Sequence, residues 1–384
     1  MKKLRLFLVS ILAVTAAPVW AAPPVTIRFF HAMRGQRGVQ LERITKKYEE
    51  LHPGVHVEIK AVLDANQRTG NDYSALYRGV LESLAQKNPP EVSQLYENWV
   101  SQLLEVSALQ PLDKDLNGLI QDLSPAFKAL SRSADGKYYS VPFNKSVWVL
   151  YYNKDMFAKA GVQPPKTWEE LRQVSTAIAK ATGKPGLVFR PGVDVFSLRF
   201  LADGGTYLDP QGKPTFNTAG AASALGYWVD MVHQDRSCLP TLKSLEVFAQ
   251  GNAGMLLDTT SKLGRLESEA SLNLGAAPLP AGTRSAPLLA GTNLGVFRVK
   301  DPVRQKAALD FAAYLTSPEV QVGWCEDSGY LPVRKAALTS ADYQKFLSQH
   351  PNHGVGVQAL PHLVSQPEVA GWESVRGLLD DAFY

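Results

Sequence analysis

Seven histidines and two cysteines are the side chains of this chain best suited to nucleophilic or metal chemistry, and their spacing matches no common catalytic pattern. The sequence contains no GxSxG, HExxH or P-loop motif. His350 and His353 are close together and His362 follows, but no cysteine lies near them and the connection contains proline and glycine. We therefore predict no catalytic residue, no bound metal and no cofactor, and a secreted hydrolase stays a remote alternative.

The first 21 residues have the composition of a secretory signal. Lys2, Lys3 and Arg5 precede an apolar run over residues 6–14, and small side chains near Ala21 suit a cleavage site. The run is shorter than the roughly 20 residues that a transmembrane helix needs. Because no cysteine near the cleavage site offers a point of lipid attachment, we predict a soluble protein exported to the periplasm.

The charge balance excludes one class of partner. The 384 residues include 40 basic and 36 acidic side chains, and the predicted signal contains three of the basic ones. The exported chain would therefore be nearly neutral, which gives no reason to expect a nucleic-acid partner. Its length exceeds the roughly 250–300 residues at which one hydrophobic core stops growing, so two lobes are expected.

The elements that would position functional side chains alternate between strand and helix. Residues 25–30 are predicted to form a strand, followed by an amphipathic helix that buries Val39, Ile44 and Tyr48, and residues 55–62 alternate as a second strand. This alternation predicts the α/β fold class.

The pattern changes in the middle of the chain. Residues 147–152 form an unbroken apolar run, typical of a strand buried on both faces. Thr167 and Glu170 can form a capping box that begins a helix at Trp168. A late strand is predicted over residues 295–299.

Three segments, read in order, resemble the family 1 extracellular solute-binding proteins of ABC transporters. They are VPFN running into VLYYNKD (141–155), PKTWEEL (165–171) and SGYLPVR (328–334). Two more, FFHAM (29–33) and QLYE (94–97), resemble the members that bind glycerol-3-phosphate. The resemblance spans nearly the whole exported chain and implies a binding protein, not an enzyme.

The resemblance implies a periplasmic-binding-protein type II fold with a ligand cleft between two hinged α/β lobes. Lobe one would comprise residues 24–143 and 281–328, and lobe two residues 147–277 and 330–384. It further implies a monomer that delivers a small polar solute, sn-glycerol-3-phosphate or a glycerophosphodiester such as glycerophosphocholine, to the membrane permease subunits. The ligand-binding residues that it implies are Tyr73, Glu97, Ser146, Thr259, Gly291, Tyr330 and Arg376.

These residue types suit a glycerophosphate. Glu97 can accept hydrogen bonds from glycerol hydroxyls, and Arg376 can hold a phosphate in its guanidinium fork. Simpler roles remain open: Glu97 as a solvated loop acid, Ser146 and Gly291 as turn residues, and Tyr330 as a core tyrosine. Arg376 could also be solvated or paired with Asp380 or Asp381, on the same predicted helix.

Two departures from the glycerophosphate pattern leave the ligand open. Thr259 replaces a serine, which keeps the hydroxyl, but residues 186–201 contain Phe189, Arg190 and Phe196 where the pattern has two tryptophans. A sugar or oligosaccharide of the maltose type is therefore the alternative ligand. An Arg376 that faces the cleft would favour an anion, and one that faces solvent would favour a neutral sugar.

Cys238 and Cys325 fall in different predicted lobes. A disulfide between them would oppose the relative motion of the lobes, so we predict that both are free.

Overall fold

The structure is a computed structural model that describes residues 24–63 and 72–383. The predicted signal, residues 1–21, lies outside the described residues. Within those two ranges, no helix combines the length and the apolar character needed to cross a membrane.

The strands of the described residues form a single sheet. In the described part of the chain the strands are β1 (Val25–His31), β2 (Val55–Ala61), β3 (Val92–Leu95), β4 (Ser140–Asn153), β5 (Leu187–Phe189), β6 (Cys238–Pro240), β7 (Met255–Thr259), β8 (Leu274–Ala277) and β9 (Leu289–Val296). Their spatial order is β2-β1-β3-β9-β4-β7-β5-β6, and β8 also pairs with β4.

Helices fill the connections between the strands. Those before β5 are α1 (Gly35–Leu51), α2 (Asp72–Ala85), α3 (Glu97–Glu105), α4 (Asn117–Asp122), α5 (Pro125–Leu130), α6 (Lys154–Ala160) and α7 (Trp168–Thr182). Those after β5 are α8 (Val193–Ala202), α9 (Ala219–His233), α10 (Ser244–Ala249), α11 (Leu263–Glu269), α12 (Pro302–Leu315), α13 (Pro318–Ser328), α14 (Lys335–Leu338), α15 (Ala341–Gln349), α16 (Pro351–Ala359) and α17 (Trp372–Phe383).

β4 joins the two halves of the sheet. Its residues up to Val147 pair antiparallel with β9, and its residues from Trp148 onward pair antiparallel with β7 and β8. Parallel pairs lie on either side, β1 with β2 and β3, and β5 with β6 and β7. We call β2-β1-β3-β9 the first half and β7-β5-β6 with β8 the second half. The α/β class predicted from the sequence is confirmed.

Two details differ from the sequence prediction. Val39 is 47% exposed, whereas Leu41, Thr45 and Tyr48 are buried. Nine residues separate Val39 from Tyr48, which is two and a half turns at 3.6 residues per turn. The two side chains therefore lie on opposite faces of the helix, and the prediction that Val39 is buried was wrong. β9 also begins at Leu289, six residues earlier than predicted.

The early start of β9 comes from polar residues that hydrogen-bond across the sheet. Thr292 and Asn293 are fully buried. The Thr292 hydroxyl bonds the Asn144 side chain, and Asn293 Nδ2 donates to Ser140 Oγ over 2.8 Å. Two polar residues beside a glycine resemble a loop in sequence, but paired with β4 they form a buried strand.

The predicted cap of α7 is present with one difference. The Thr167 hydroxyl accepts the Glu170 N–H over 3.1 Å, but Glu170 Oε2 accepts the N–H of Lys166, over 2.6 Å, in place of the N–H of Thr167. Cys238 and Cys325 are both buried and free, as predicted.

The C-terminal helix α17 contacts both halves. Trp372 packs its ring against Tyr207 of the second half, with centroids 5.1 Å apart. Glu373, the next residue, accepts hydrogen bonds from Ser74 over 3.3 Å and from Trp99 Nε1 over 3.5 Å, both in the first half. The lobe boundaries expected from the sequence stay a prediction.

Candidate functional site

The carboxyl ends of strands from both halves lie next to the middle of β4. Leu95, the last residue of β3, lies opposite Asn293, which also pairs with Pro142 of β4. Thr259, the last residue of β7, lies opposite Trp148 of β4. Ligands of open α/β sheets bind beyond the carboxyl ends of the strands. The register therefore locates a cleft around residues 142–148.

A buried polar network occupies the first-half side of this cleft. Asn144 Nδ2 donates to Tyr73 Oη over 3.4 Å, and Gln94 Nε2 donates to Asn144 Oδ1 over 3.3 Å. Arg37, near the N-terminus of α1, donates from Nη1 to Tyr330 Oη over 3.0 Å. Tyr330 also hydrogen-bonds to the Asn144 side chain, so two of the predicted residues, Tyr73 and Tyr330, share one network.

The two network tyrosines differ in acidity. Burial raises the pKa of Tyr73 well above its ordinary value. Burial would also raise the pKa of Tyr330, but the nearby Arg37 guanidinium overcomes this effect and holds that pKa below its ordinary value. Tyr330 is nearly fully buried and stacks on Trp324 at an interplanar angle of 4°. The tyrosine is therefore a core residue whose hydroxyl faces a cation.

Lys145 is a candidate site residue that was not predicted from the sequence. It is fully buried in the middle of β4, and its Nζ forms an ion pair with Oε1 of Glu97. Glu97 is the first residue of α3 and its side chain is only 15% exposed, so it is not a solvated loop acid. A lysine beside the unbroken apolar run of β4 was a visible signal, because lysines are almost never fully buried unless they are paired.

A small cavity of about 70 Å³ opens beside this ion pair. Its walls come from the first half, including β9, from the second half and from the C-terminal segment. The lining residues are Tyr96, Glu97, Asn98, Asp194, Leu289, Ala290, Gly291, Ser365, Gln366, Glu373 and Arg376. Three of the predicted residues, Glu97, Gly291 and Arg376, are among them.

Arg376 lines this cavity, and its guanidinium group is hydrogen-bonded to Asp194. Its Nη1 and Nη2 donate to the two carboxylate oxygens of Asp194 over 2.8 and 2.7 Å. Asp380 is more distant, with Oδ2 3.9 Å from Nε. Of the simpler roles left open for Arg376, pairing mainly with Asp380 or Asp381 is therefore not the one observed, because the guanidinium reaches the N-terminal turn of α8.

Gly291 holds β9 close to β4. Its φ is +94°, and a Cβ at this position would lie 1.9 Å from the backbone oxygen of Asn144. Ser146, which pairs with Ala290, is buried. These two predicted residues therefore lie close together where β9 pairs with β4, next to the junction of the halves.

Thr259 contributes from the second half. Its hydroxyl is 2.8 Å from Ser261 Oγ, and its N–H donates to Oδ1 of the preceding Asp258 over 2.7 Å. Burial raises the pKa of Asp258, although the cations Lys262, Arg190 and Arg37 oppose that shift. Arg37 belongs to the first half and Asp258 to the second, so charged side chains of the two halves interact electrostatically across the cleft.

The residues in place of the two tryptophans have separate environments. Phe189 is buried and its ring lies 5.1 Å from that of Trp228. Phe196 is buried and its ring lies 5.3 Å from that of Phe200. Arg190 is close enough to Asp258 to lower its pKa. The aromatic pair is thus replaced by core phenylalanines and a cleft-side cation.

Two α/β halves joined by the crossing strand β4, with polar side chains gathered between them, are the fold of the type II periplasmic binding proteins. Residues 44–348 match the family model of the bacterial extracellular solute-binding proteins. The chain belongs to that family.

Curated relatives include sn-glycerol-3-phosphate-binding periplasmic proteins UgpB. That of Shigella dysenteriae serotype 1 is 27% identical over an alignment of 354 positions, which covers 85% of this chain and 78% of the relative. That of Yersinia pestis bv. Antiqua (strain Antiqua) is 25% identical over an alignment of 392 positions including gaps, which covers 95% of this chain and 84% of the relative.

Solved structures share the fold. UgpB from Mycobacterium tuberculosis in complex with glycerophosphocholine superposes with a TM-score of 0.83 at 24% identity and covers 94% of this chain and 93% of its own. Maltose-bound MalE3 from T. maritima superposes with a TM-score of 0.82 at 23% identity and covers 93% of both chains. Similar architecture therefore accompanies both glycerophosphate and sugar ligands.

Proposed function

We propose that this chain is the periplasmic solute-binding component of an ABC uptake transporter and delivers a glycerophosphate to the membrane permease. The ligand is sn-glycerol-3-phosphate or a glycerophosphodiester such as glycerophosphocholine. The supporting observation is the gathering of Glu97, Gly291 and Arg376 around one cavity, beside the network of Tyr73 and Tyr330. The named ligands of the curated relatives point the same way.

The phosphate is assigned to Arg376. Asp194 uses one N–H donor on each terminal nitrogen of the fork, which orients the guanidinium and leaves other donors for a ligand. The glycerol hydroxyls are assigned to Glu97, whose negative charge Lys145 stabilises. An arginine that faces the cleft favours an anionic ligand over a neutral maltose-type sugar.

Paired charges in the cleft favour a phosphodiester over a phosphate dianion. A dianion gains most from unpaired cations, whereas a zwitterion such as glycerophosphocholine needs little net positive field. The charged side chains around the cleft are balanced, with Arg37, Lys145, Arg190, Lys262 and Arg376 against Glu97, Asp194, Asp258, Glu368 and Glu373.

Calorimetric titration of residues 22–384 with glycerophosphocholine, sn-glycerol-3-phosphate and maltose tests the proposal. We expect saturable binding of glycerophosphocholine, weaker binding of sn-glycerol-3-phosphate and no binding of maltose. If maltose binds and neither glycerophosphate does, the proposed ligand class is wrong and the sugar alternative takes its place.

Replacing Arg376 with lysine should weaken glycerophosphocholine binding about tenfold or more, or by roughly 1.4 kcal/mol. Lysine keeps the charge but loses the planar fork that Asp194 orients. Titration calorimetry measures the change. The matched control is Arg199→Lys, which alters an arginine of α8 paired with Asp203 outside the cavity lining. Equal affinities for the two variants would remove Arg376 from the binding site.

A further inference from the structure

A second group of chemically competent side chains gathers where α11 meets the turn between α15 and α16. His353 Nε2 is 3.2 Å from Oε2 of Glu267, and His350 Nδ1 is 3.6 Å from the same oxygen. The three potential ligand atoms all lie within 4.8 Å of one another. None of these residues lines the cavity described above. The group is therefore separate from the proposed solute site.

The spacing of these atoms fits a coordinated metal. Zinc binds imidazole nitrogen and carboxylate oxygen at about 2.0–2.2 Å, so at tetrahedral angles neighbouring ligand atoms lie about 3.3 Å apart. The two separations from Glu267 Oε2, 3.2 and 3.6 Å, lie close to this value. Two imidazoles with one carboxylate are a ligand set that zinc uses with a fourth position left open to water.

Neighbouring side chains hold the three ligands in place. Phe346 stacks on His350 with ring centroids 4.4 Å apart and meets His353 edge-on at 4.7 Å. Asn352 hydrogen-bonds to Glu267 and accepts the N–H of Ala276, in β8, over 3.0 Å. Supporting contacts of this kind orient the ligands of a metal site before the ion binds.

The surrounding charge also suits a cation. The carboxylate of Glu326 lies close enough to His350 and His353 for both to influence its acidity, and Asp327 and Asp342 lie beside it. Together with Glu267, these carboxylates concentrate mutually repelling acidic side chains around the two imidazoles. A divalent ion would offset that repulsion, whereas a simple His353–Glu267 hydrogen bond would leave it in place.

Although the sequence predicts no bound metal, we propose that Glu267, His350 and His353 form a binding site for a divalent first-row transition metal, with zinc the ion best suited to the ligands. Imidazole ligands favour zinc, copper or nickel over magnesium or calcium, which prefer oxygen. The bound ion would connect α11, which follows the cleft strand β7, to the start of α16. It would thereby stabilise the second half without contacting the solute.

The site is tested by titrating chelator-treated protein, purified without a histidine tag, with zinc chloride, and with magnesium chloride as the comparison. We expect one zinc per chain and no magnesium. His350→Ala and Glu267→Gln should each weaken zinc binding about tenfold or more. His362→Ala, which changes an exposed histidine outside the cluster, should bind zinc like the unchanged protein.

A second measurement is independent of affinity. Saturating zinc should raise the thermal unfolding midpoint of the unchanged protein and of His362→Ala, but not that of His350→Ala, because ligands that bind only the folded state stabilise it. The proposal is overturned if zinc does not bind, or if His350→Ala and His362→Ala bind it equally. Neither outcome bears on the proposed solute, because the cavity lining is untouched.

Discussion

Replacing Glu97 with alanine is expected to destabilise the protein by about 3–5 kcal/mol, the usual cost of removing one partner of a buried ion pair. Lys145 is fully buried in β4 and its ammonium group bonds the Glu97 carboxylate. Without that carboxylate, the charge would remain in a medium of low polarity with its main partner gone. Urea denaturation followed by circular dichroism measures the change in the free energy of unfolding.

Two companion variants separate this effect from the loss of an ordinary surface acid. The double variant Glu97→Ala with Lys145→Met removes both charges and should recover most of the lost stability, because a buried pair can be replaced by apolar side chains at little cost. Glu105→Ala, at the exposed far end of α3, should change stability by no more than about 0.5 kcal/mol. The proposed burial cost is refuted if the double variant is as unstable as the single one.

The double variant also tests whether Glu97 binds the solute. It should remain folded but lose affinity for glycerophosphocholine about tenfold or more, or by roughly 1.4 kcal/mol, because the acceptor for the glycerol hydroxyls is absent. A single Glu97→Ala variant cannot separate these effects if it is partly unfolded. Unchanged affinity in the folded double variant would leave Glu97 with a purely structural role.

Local sequence signals predicted the elements of this fold well. The apolar run of β4, the Thr167 cap and the alternating strand β2 follow from periodicity and capping chemistry alone, and each is present. The predicted site residues also gather around β4. Their positions came from the resemblance to known binding proteins, since no local pattern marks them.

The pairing of the site residues was not predictable in the same way. Lys145 and Glu97 are 48 positions apart, and Arg376 and Asp194 are 182 apart. The partner of each charge depends on how strands and helices assemble, and nothing in either segment specifies it. For the same reason the sequence did not identify Asp194 as the partner of Arg376, because the acids on the helix of Arg376 are nearer in sequence.

Replacing Gly291 with alanine should destabilise the protein by about 3 kcal/mol or more, through strain at positive φ together with a backbone collision. The new Cβ would lie 1.9 Å from the Asn144 oxygen, and β4 and β9 would have to separate to admit it. That movement would also displace Asn144 and Lys145, which hold Tyr73 and Glu97. We therefore expect glycerophosphocholine binding to fall together with stability.

The control for this variant is Gly226→Ala. Gly226 lies inside α9, and a Cβ there would meet no atom within 4 Å. Alanine at a helical position of this kind should stabilise the protein by about 0.5–1 kcal/mol. If Gly291→Ala instead unfolds at the same urea concentration as the unchanged protein and binds solute normally, β4 and β9 can move apart at no cost. The fixed spacing of those strands would then not define the cleft.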